Sequence, residues 1–490
     1  MKSGTSSSLY IGEWFRDKRS GYGVLDDILR GEKYMGMWEA DCRHGPGLLV
    51  TLDGIYNQGI FAQNKLSGDG VLLCDDNTKF EGEFVGECLL SGKGVLTMPN
   101  GDYIDGTFTG QWGNGIRING TFHKLEATGK ASNSPRSTMT NTKYTIPPEK
   151  KWVSLFSQCR QALGRCGDRD PDLTVVWQSI SAALKSKLDS KLSRGEQEII
   201  QELLNINNEM AQTAKNTVDL QKLHLYLTKA FDVKQHPLGQ LVNGLIDVFR
   251  ASYVGMGTHR RLLAHAVAEV KSFVERVYNM VRLLFPELPN EEYVLLHTDT
   301  VSGVANHGTE ESLTSSMVMH PLLFPRLFPP LFTLYALDNE RADSAYWERI
   351  QQLNKRSDWA LMTYVGMQSC HFVQVKLENR EPEHYISAVE SLQQISTKFS
   401  PMEKLGVLKT TFEQINKDVS SFWQGERKLV SLDDLFPVFQ FVVIRARIPH
   451  LGSEIQFIDD MVDSHVHVGE QGHMFTTLKA SFFQIQNEKG

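Results

Sequence analysis

The sequence has few cysteines, no long uninterrupted apolar run and no excess of positive charge. Six cysteines in 490 residues, with no Cys-x-x-Cys pair, exclude a disulfide scaffold and a cysteine-based zinc site. The formal charge of −7 argues against a general nucleic-acid binder, so no nucleic-acid partner is expected. The most apolar long stretch, residues 321–337, contains four prolines and an arginine, so no membrane-spanning helix is expected. The N-terminus has no apolar signal segment. We therefore expect the cysteines to be reduced thiols in the cytoplasm.

Motifs of covalent chemistry are missing as well. The sequence has no GxSxG, no HExxH and no kinase signature. The stretch nearest to a Walker A loop, around Gly92-Lys93-Gly94, has the wrong spacing and no Ser or Thr. His465-Val466-His467 could place two imidazoles on one strand face, but without a third ligand a surface or partner-facing pair is favoured. We therefore expect no metal, no cofactor and no covalent enzyme chemistry.

What the N-terminal end does have is a repeated glycine–aromatic pattern. A glycine followed two residues later by an aromatic recurs at intervals of 24, 23, 23 and 24 residues. The pairs are Gly12/Trp14, Gly36/Trp38, Gly59/Phe61, Gly82/Phe84 and Gly106/Phe108. Another aromatic lies two residues before the glycine as Tyr10, Tyr34 and Phe80, whereas Tyr56 and Tyr103 come one residue earlier. This pattern predicts one β-hairpin per repeat, with the aromatics on one face.

Further glycine pairs follow the aromatics in the first four repeats. They are Gly21/Gly23, Gly45/Gly47, Gly68/Gly70 and Gly92/Gly94. The pattern resembles the MORN repeat over about residues 9–123, which implies an all-β hairpin solenoid. MORN arrays are often credited with binding anionic lipid, but this region holds 10 Lys and Arg against 16 Asp and Glu. Self-association into a homo-oligomer is the expected role instead. Because the first repeat begins near residue 10 without a polar cap, we expect a truncated or short form of something longer.

The remaining chain changes character twice. Residues 124–150 are rich in Ser, Thr and Asn and include Pro147-Pro148, which predicts a flexible linker. From residue 151 onward, apolar residues recur at three- and four-residue steps, which predicts an all-α region. Ser400-Pro401-Met402-Glu403 predicts a capping box with proline in the first turn. We divide this region into a helical bundle, 151–346, and a C-terminal domain, 347–490.

The C-terminal domain contains the most informative residues. Asp433 and Asp434 open a helix that is apolar nearly all round and therefore central. From the residues alone, Ser431 as N-cap and two aspartates at the helix N-terminus are the favoured explanation of these acids. Pro449 would break this helix.

Four motifs in order resemble the catalytic domain of the Vps-nine family. They are Ser-Pro-x-x-Lys-Leu (400–405), Asp-Asp-Leu-Phe-Pro (433–437), Pro-x-Leu (449–451) and Gly-Glu-x-Gly-x-x-Phe-Thr (469–476). Members of this family are nucleotide-exchange factors for early-endosomal Rab GTPases of the Rab-five subfamily. The resemblance covers about residues 347–490, with the preceding helices as a supporting bundle.

The resemblance implies a role for each site residue. Asp433 corresponds to the family's acidic finger, which pairs with the GTPase lysine in place of a phosphate oxygen, and Asp434 supports it. Pro437 and Leu451 would shape an apolar groove for the GTPase switch segments. Thr476 matches a threonine near that groove, and His473 stands where better-known members have a tyrosine. Three residues apart on a helix, the last two share one face.

The expected function is therefore exchange of guanine nucleotide on a Rab-five-type GTPase without covalent chemistry. The alternative is an oligomeric scaffold that binds a Rab GTPase or a membrane without catalysing exchange. We expect a cytoplasmic protein that associates peripherally with early endosomes through its partners.

Overall fold

The structure is a computed structural model, and it divides into two compact units, Met1–Leu288 and Pro289–Gly490. We call them the N-terminal and the C-terminal unit. The residues that it describes are 2–5, 8–86, 88–125, 144–165, 172–188, 193–212, 220–255, 258–289, 314–375, 383–423 and 432–487.

Among the described residues, the N-terminal unit begins with one antiparallel sheet of 11 strands, each paired with the next along the chain. The strands are β1 Lys2–Thr5, β2 Ser8–Phe15, β3 Lys18–Asp27, β4 Glu32–Glu39, β5 Cys42–Thr51, β6 Tyr56–Ala62, β7 Lys65–Leu73, β8 Lys79–Gly86, β9 Leu89–Thr97, β10 Tyr103–Gln111 and β11 Gly115–His123. The predicted array of β-hairpins is confirmed, and the hairpins join edge to edge into one continuous sheet.

The repeated glycines have two separate uses. Gly12 and Gly23 face each other across β2 and β3, and a Cβ on Gly12 would lie 2.4 Å from the hydroxyl oxygen of Tyr10. These glycines therefore make room for the tyrosine ring that lies across them. Gly21, two residues before, has a φ of +65°, which L side chains rarely adopt.

The aromatic side chains form a core on one face of the sheet. Tyr34 packs edge-on against Trp38 and Phe61, at ring-centroid distances of 5.2 and 5.1 Å. Tyr56, which comes one residue early in its repeat, is absent from this cluster; its hydroxyl lies 2.8 Å from Nε2 of His265 in a later helix. A one-residue shift moves a strand side chain to the opposite face. Tyr56 therefore lies on the face of the sheet that contacts helices.

In the described part of the same unit, six α-helices follow the sheet. They are α1 Val153–Ala162, α2 Leu173–Leu188, α3 Arg194–Gln212, α4 Leu220–Asp232, α5 Pro237–Tyr253 and α6 Leu263–Leu284. Lys33 of β4 is buried and donates to the backbone oxygens of Ala251 and Val254, at 3.1 and 2.7 Å. Sheet and helices therefore share a polar junction within one unit.

This grouping differs from the segments drawn from the sequence. Within the predicted linker 124–150, residues 126–143 lie outside the described part. Tyr144 and Ile146 are buried, and Thr145 accepts a hydrogen bond from Gln58 of β6 at 3.0 Å. The end of that segment packs against the sheet. The structure also groups residues 151–288 with the sheet in one compact unit. The predicted domain boundaries at 150/151 and 346/347 stay a prediction.

The C-terminal unit is helical, as expected. Its helices are α7 Ser315–Asp338, α8 Glu340–Leu353, α9 Asp358–Tyr364, α10 Ile386–Gln393, α11 Pro401–Phe422, α12 Leu432–Ala446, α13 Leu451–Met461 and α14 Glu470–Asn487. A two-residue ribbon, β12 Gln374–Val375 and β13 Glu383–His384, precedes α10. Among the described residues, no helix is both long and apolar enough to cross a membrane.

Candidate functional site

Helix α12 lies at the centre of the C-terminal unit and packs against α9, α10, α11 and α14. Its residues from Val438 to Ile444 are almost completely buried, which agrees with the apolar sequence of this stretch. The first turn is different, because Asp434, Leu435 and Pro437 are only partly buried. A fixed helix thus presents an accessible acidic end.

Asp433 and Asp434 both lie in that first turn. The side chain of Asp433 is outside the described part of the structure, as is Ser431, the predicted N-cap. Oδ1 of Asp434 accepts a hydrogen bond of 2.8 Å from Nε2 of Gln368. Gln368 is 66 residues away along the chain, so no local sequence signal could have identified it.

Pro437 removes one backbone hydrogen bond from the same turn. Proline has no N–H, so the carbonyl of Asp433, four residues earlier, lacks its helical donor. The first turn of a helix also leaves its own N–H groups without carbonyl partners in the helix. The acidic turn therefore has backbone N–H and C=O groups that the helix itself does not pair.

Leu451, predicted to line a groove, is 0% exposed. It begins α13, whose N-terminus is held by the carboxylate of Asp343 from α8. That carboxylate accepts from the N–H of Gly452 at 2.8 Å and from Oγ of Ser453 at 2.6 Å. A Cβ on Gly452 would lie 2.6 Å from Asp343, which explains the glycine. Leu451 is buried in this conformation, and its contact with a partner stays a prediction.

Helix α14 presents His473 and Thr476 on one exposed face, as the three-residue spacing predicts. Oγ1 of Thr476 donates to the carbonyl of Gly472 at 2.9 Å, so the hydroxyl is held against its own helix. Gly472 itself lies so close to the backbone of His467 that a Cβ would clash. Phe475, between the two exposed residues, is buried.

The Ser-Pro-x-x-Lys-Leu motif has a structural role. Ser400 and Glu403 form the predicted capping box, with Pro401 in the first turn. Lys404 is buried, and its Nζ lies 2.7 Å from Oε2 of Glu454 in α13. Burial lowers the pKa of Lys404 and raises that of Glu454, which outweighs the attraction between them. This motif ties α11 to α13.

The structure thus brings together two of the predicted elements. Helices α12 and α14, which carry Asp433, Asp434, Pro437, His473 and Thr476, pack directly against each other. Leu451 lies inside the fold. Gln368 and Asp343 were missed because each acts through a contact that is remote in sequence.

No metal centre is assembled in the described residues, where no three His, Cys, Asp or Glu side chains form a potential ligand group. His465 and His467 lie on a 3-10 helix, Ser464–Val468, and not on the strand face considered from the sequence. Both imidazoles are exposed.

Comparison with protein-family models identifies three regions. Residues 385–489 match the vacuolar sorting protein 9 (VPS9) domain. Residues 206–308 match the helical array domain of Alsin, and residues 10–27, 34–54 and 89–103 match the MORN repeat. The two families that the motifs resemble are thereby confirmed.

Curated proteins match over most of the chain. Alsin of Homo sapiens is 43% identical over 513 residues, which cover 99% of this chain and 31% of Alsin. The ALS2 C-terminal-like protein of Mus musculus is 33% identical over 484 residues, which cover 95% of this chain and 49% of that protein. The Alsin homolog of Drosophila melanogaster is 26% identical over 54% of this chain. The chain therefore contains MORN repeats and a VPS9 domain and is homologous to Alsin, although it spans only about a third of Alsin's length.

Proposed function

We propose that this protein is a guanine-nucleotide exchange factor that accelerates GDP release from Rab GTPases of the Rab-five subfamily. Its VPS9 domain and its homology to Alsin support exchange activity on a small GTPase. The observation that carries the proposal is the accessible acidic first turn of α12 on an otherwise buried helix. A catalyst of nucleotide release needs such a charge on a fixed support.

In the proposed mechanism, Asp433 acts as the acidic finger. A GTPase of this kind holds its nucleotide with a P-loop lysine, backbone N–H groups and Mg²⁺. A carboxylate inserted there pairs with the lysine in place of a phosphate oxygen and repels the phosphates. GDP leaves without any covalent intermediate, and no cofactor of the exchange factor is needed.

The neighbouring residues position and complete this surface. The amide of Gln368 holds Asp434, so the acidic turn keeps its direction while Asp434 remains accessible. Pro437 contributes partly exposed apolar area beside the aspartates, and His473 and Thr476 extend the surface along α14. Leu451 acts indirectly, by holding the start of α13 in place.

We further propose that the repeat sheet mediates homo-oligomerisation. Strand β11 pairs with β10 on one side and, among the described strands, has no neighbour on the other. Ile118 and Phe122 of this edge strand are exposed. An open edge with exposed apolar side chains favours pairing with a second chain. The assembly would be cytoplasmic and would associate peripherally with early endosomes.

Sedimentation velocity tests the assembly. The intact chain should sediment as an oligomer whose proportion falls on dilution, and Phe122→Lys should shift it toward monomer. Leu29→Lys, which changes an exposed leucine elsewhere in the sheet region, is the control. A monomer at every concentration contradicts self-association.

Release of a fluorescent GDP from a Rab-five-type GTPase tests the exchange activity. The intact chain should accelerate release in proportion to its concentration until the GTPase is saturated. Binding of the GTPase without faster release would favour the scaffold that only holds a Rab GTPase.

A further inference from the structure

A group of cations surrounds the C-terminal end of α12, opposite the acidic turn. Oδ1 of Asn354 accepts hydrogen bonds from Nη1 of Arg445 and Nε of Arg447, both at 3.0 Å. Two guanidinium groups therefore share one neutral oxygen. Lys355 and Arg356, next to Asn354 in sequence, are exposed. We call Lys355, Arg356, Arg445 and Arg447 the basic face.

Charge on the basic face is poorly balanced. Asp358 pairs with Arg445 at 2.6 Å. Within the described part of the chain, no carboxylate forms an ion pair with Lys355, Arg356 or Arg447. Arg356 instead lies over the ring of Tyr364, with Cζ 4.1 Å from the ring centroid. A net positive surface results, on a chain whose formal charge is −7.

Arg447 has an unfavourable backbone conformation for a residue other than glycine. It follows the last residue of α12 with a φ of +50°, a left-handed conformation in which glycine is usual after a helix. Cations near a helix C-terminus also complement its dipole. The dipole accounts for Arg445, but it does not require the exposed Lys355 and Arg356.

An exposed tryptophan adjoins the basic face. Trp359 is 62% exposed and follows Asp358, the partner of Arg445. Its ring packs edge-on against Phe372, with centroids 5.0 Å apart. Tryptophan rings are favoured at the interface between water and lipid, where cations meet anionic headgroups. Cations beside an exposed tryptophan are the combination that such a headgroup layer attracts.

We propose that the basic face and Trp359 together dock the C-terminal unit directly on an anionic membrane leaflet. The leaflet attracts the basic end of α12 and repels the acidic end, which lies about 20 Å away at 1.5 Å per helical residue. The acidic turn is therefore directed away from the lipid. This inference does not depend on exchange activity.

Co-sedimentation of the full chain with vesicles tests it. The probes are vesicles of phosphatidylcholine alone and vesicles with about a third of phosphatidylserine, a leaflet of high negative charge. The chain should bind the anionic vesicles, and added salt should weaken the binding. Asn354→Asp, which puts a carboxylate between Arg445 and Arg447, should lower the partition by about five-fold or more.

Two further variants separate binding from folding. Arg447→Gly removes a cation and relieves its backbone, so the melting temperature should hold or rise while the partition falls by about five-fold. Trp359→Ser should lower the partition. Because the chain has eight tryptophans, the blue shift of the total tryptophan emission on vesicles should be smaller in this variant than in the wild type. Lys409→Ala, an equal loss of charge at an exposed position on α11, is the matched control and should bind normally.

Three outcomes overturn the inference. Equal vesicle binding by wild type, Asn354→Asp and Arg447→Gly would remove the basic face from membrane contact. An equal loss in Lys409→Ala would reduce the effect to overall charge. Loss of GTPase binding in Asn354→Asp, with vesicle binding intact, would assign the face to an acidic protein partner.

Discussion

Two carboxylates, one in each unit, show opposite uses of the same chemical group. Glu269 of α6 is 0% exposed and is bound by Nζ of Lys151 at 3.0 Å, Nε1 of Trp152 at 2.7 Å and the hydroxyl of Tyr253 at 2.8 Å. Asp434 of α12 is partly exposed and is held by a neutral amide. The Glu269 carboxylate is fully paired inside the fold and joins α6 to Lys151, Trp152 and Tyr253. The Asp434 carboxylate remains accessible to a partner.

The ionisation of the neighbouring groups fits this contrast. Burial disfavours the charged form of Lys151, yet its pKa is raised, because Glu269 and Tyr22 outweigh that cost. Tyr22 also packs edge-on against Trp152, with ring centroids 4.9 Å apart. A strand residue is thereby linked to the cluster around Glu269.

Glu269→Leu should give the largest loss of stability. It leaves Lys151 buried without its carboxylate, which should cost about 3–5 kcal/mol in the free energy of unfolding of the N-terminal unit. Hydrogen exchange of the β3–β6 amides and denaturant unfolding measure it. Adding Lys151→Met should restore part of the loss, and Glu275→Leu on the exposed side of α6 should have little effect. Full stability of Glu269→Leu would refute the joining role.

Leu451→Ala should act through stability and not through direct contact. Removal of a fully buried leucine side chain should cost about 2–5 kcal/mol in the C-terminal unit. Thermal unfolding measures the loss, with Val468→Ala, at an exposed position, as control. Unchanged stability together with weaker GTPase binding would show instead that Leu451 touches the partner.

Acid should weaken the N-terminal unit. Burial lowers the pKa of His236 and of His265 to about 3 in the folded chain. Below pH of about 6.5 the unfolded chain takes up protons that the folded chain cannot, so each histidine removes about 1.4 kcal/mol of stability per pH unit. His265→Gln should flatten the fall in stability between about pH 6.5 and 5. His44→Gln, at an exposed position, should leave it unchanged; an equal slope for wild type and His265→Gln would contradict the buried neutral imidazole.

Gln368→Leu should have the smallest effect. Loss of one hydrogen bond to a partly exposed carboxylate is worth about 1 kcal/mol, or about a five-fold fall in exchange rate. Gln394→Leu, at an exposed position, is the control. In a background of Asp434→Asn, the Gln368→Leu effect should shrink. Additive effects of the two changes would show that the contact does not position the acidic turn.

Local patterns in the sequence predicted much of the fold. The glycine–aromatic period gave the hairpins, and the capping box at Ser400 gave the start of α11. The early position of Tyr56 was visible too, but its meaning depends on His265, more than 200 residues later. Periodicity locates a strand, and it does not say which helix will cover it.

The candidate site was predicted in part for the same reason. The motifs located the helices that carry Asp434, His473 and Thr476, and these two helices pack against each other. Leu451 is buried, and Asp343, a residue of another helix, holds the start of α13 beside it. No spacing rule reports such a tertiary cap.

The most direct test of the account compares wild type, Asp433→Asn and Glu413→Gln in GDP release at saturating concentrations of the chain. Glu413 is an exposed acid of α11 and controls for the change of charge. Asp433→Asn loses a charged hydrogen bond worth about 1.5–3 kcal/mol, so GDP release should slow by at least about ten-fold while the variant still binds the GTPase. Glu413→Gln should release GDP at the wild-type rate. Equal release by all three folded and GTPase-binding chains would contradict the acidic-finger mechanism.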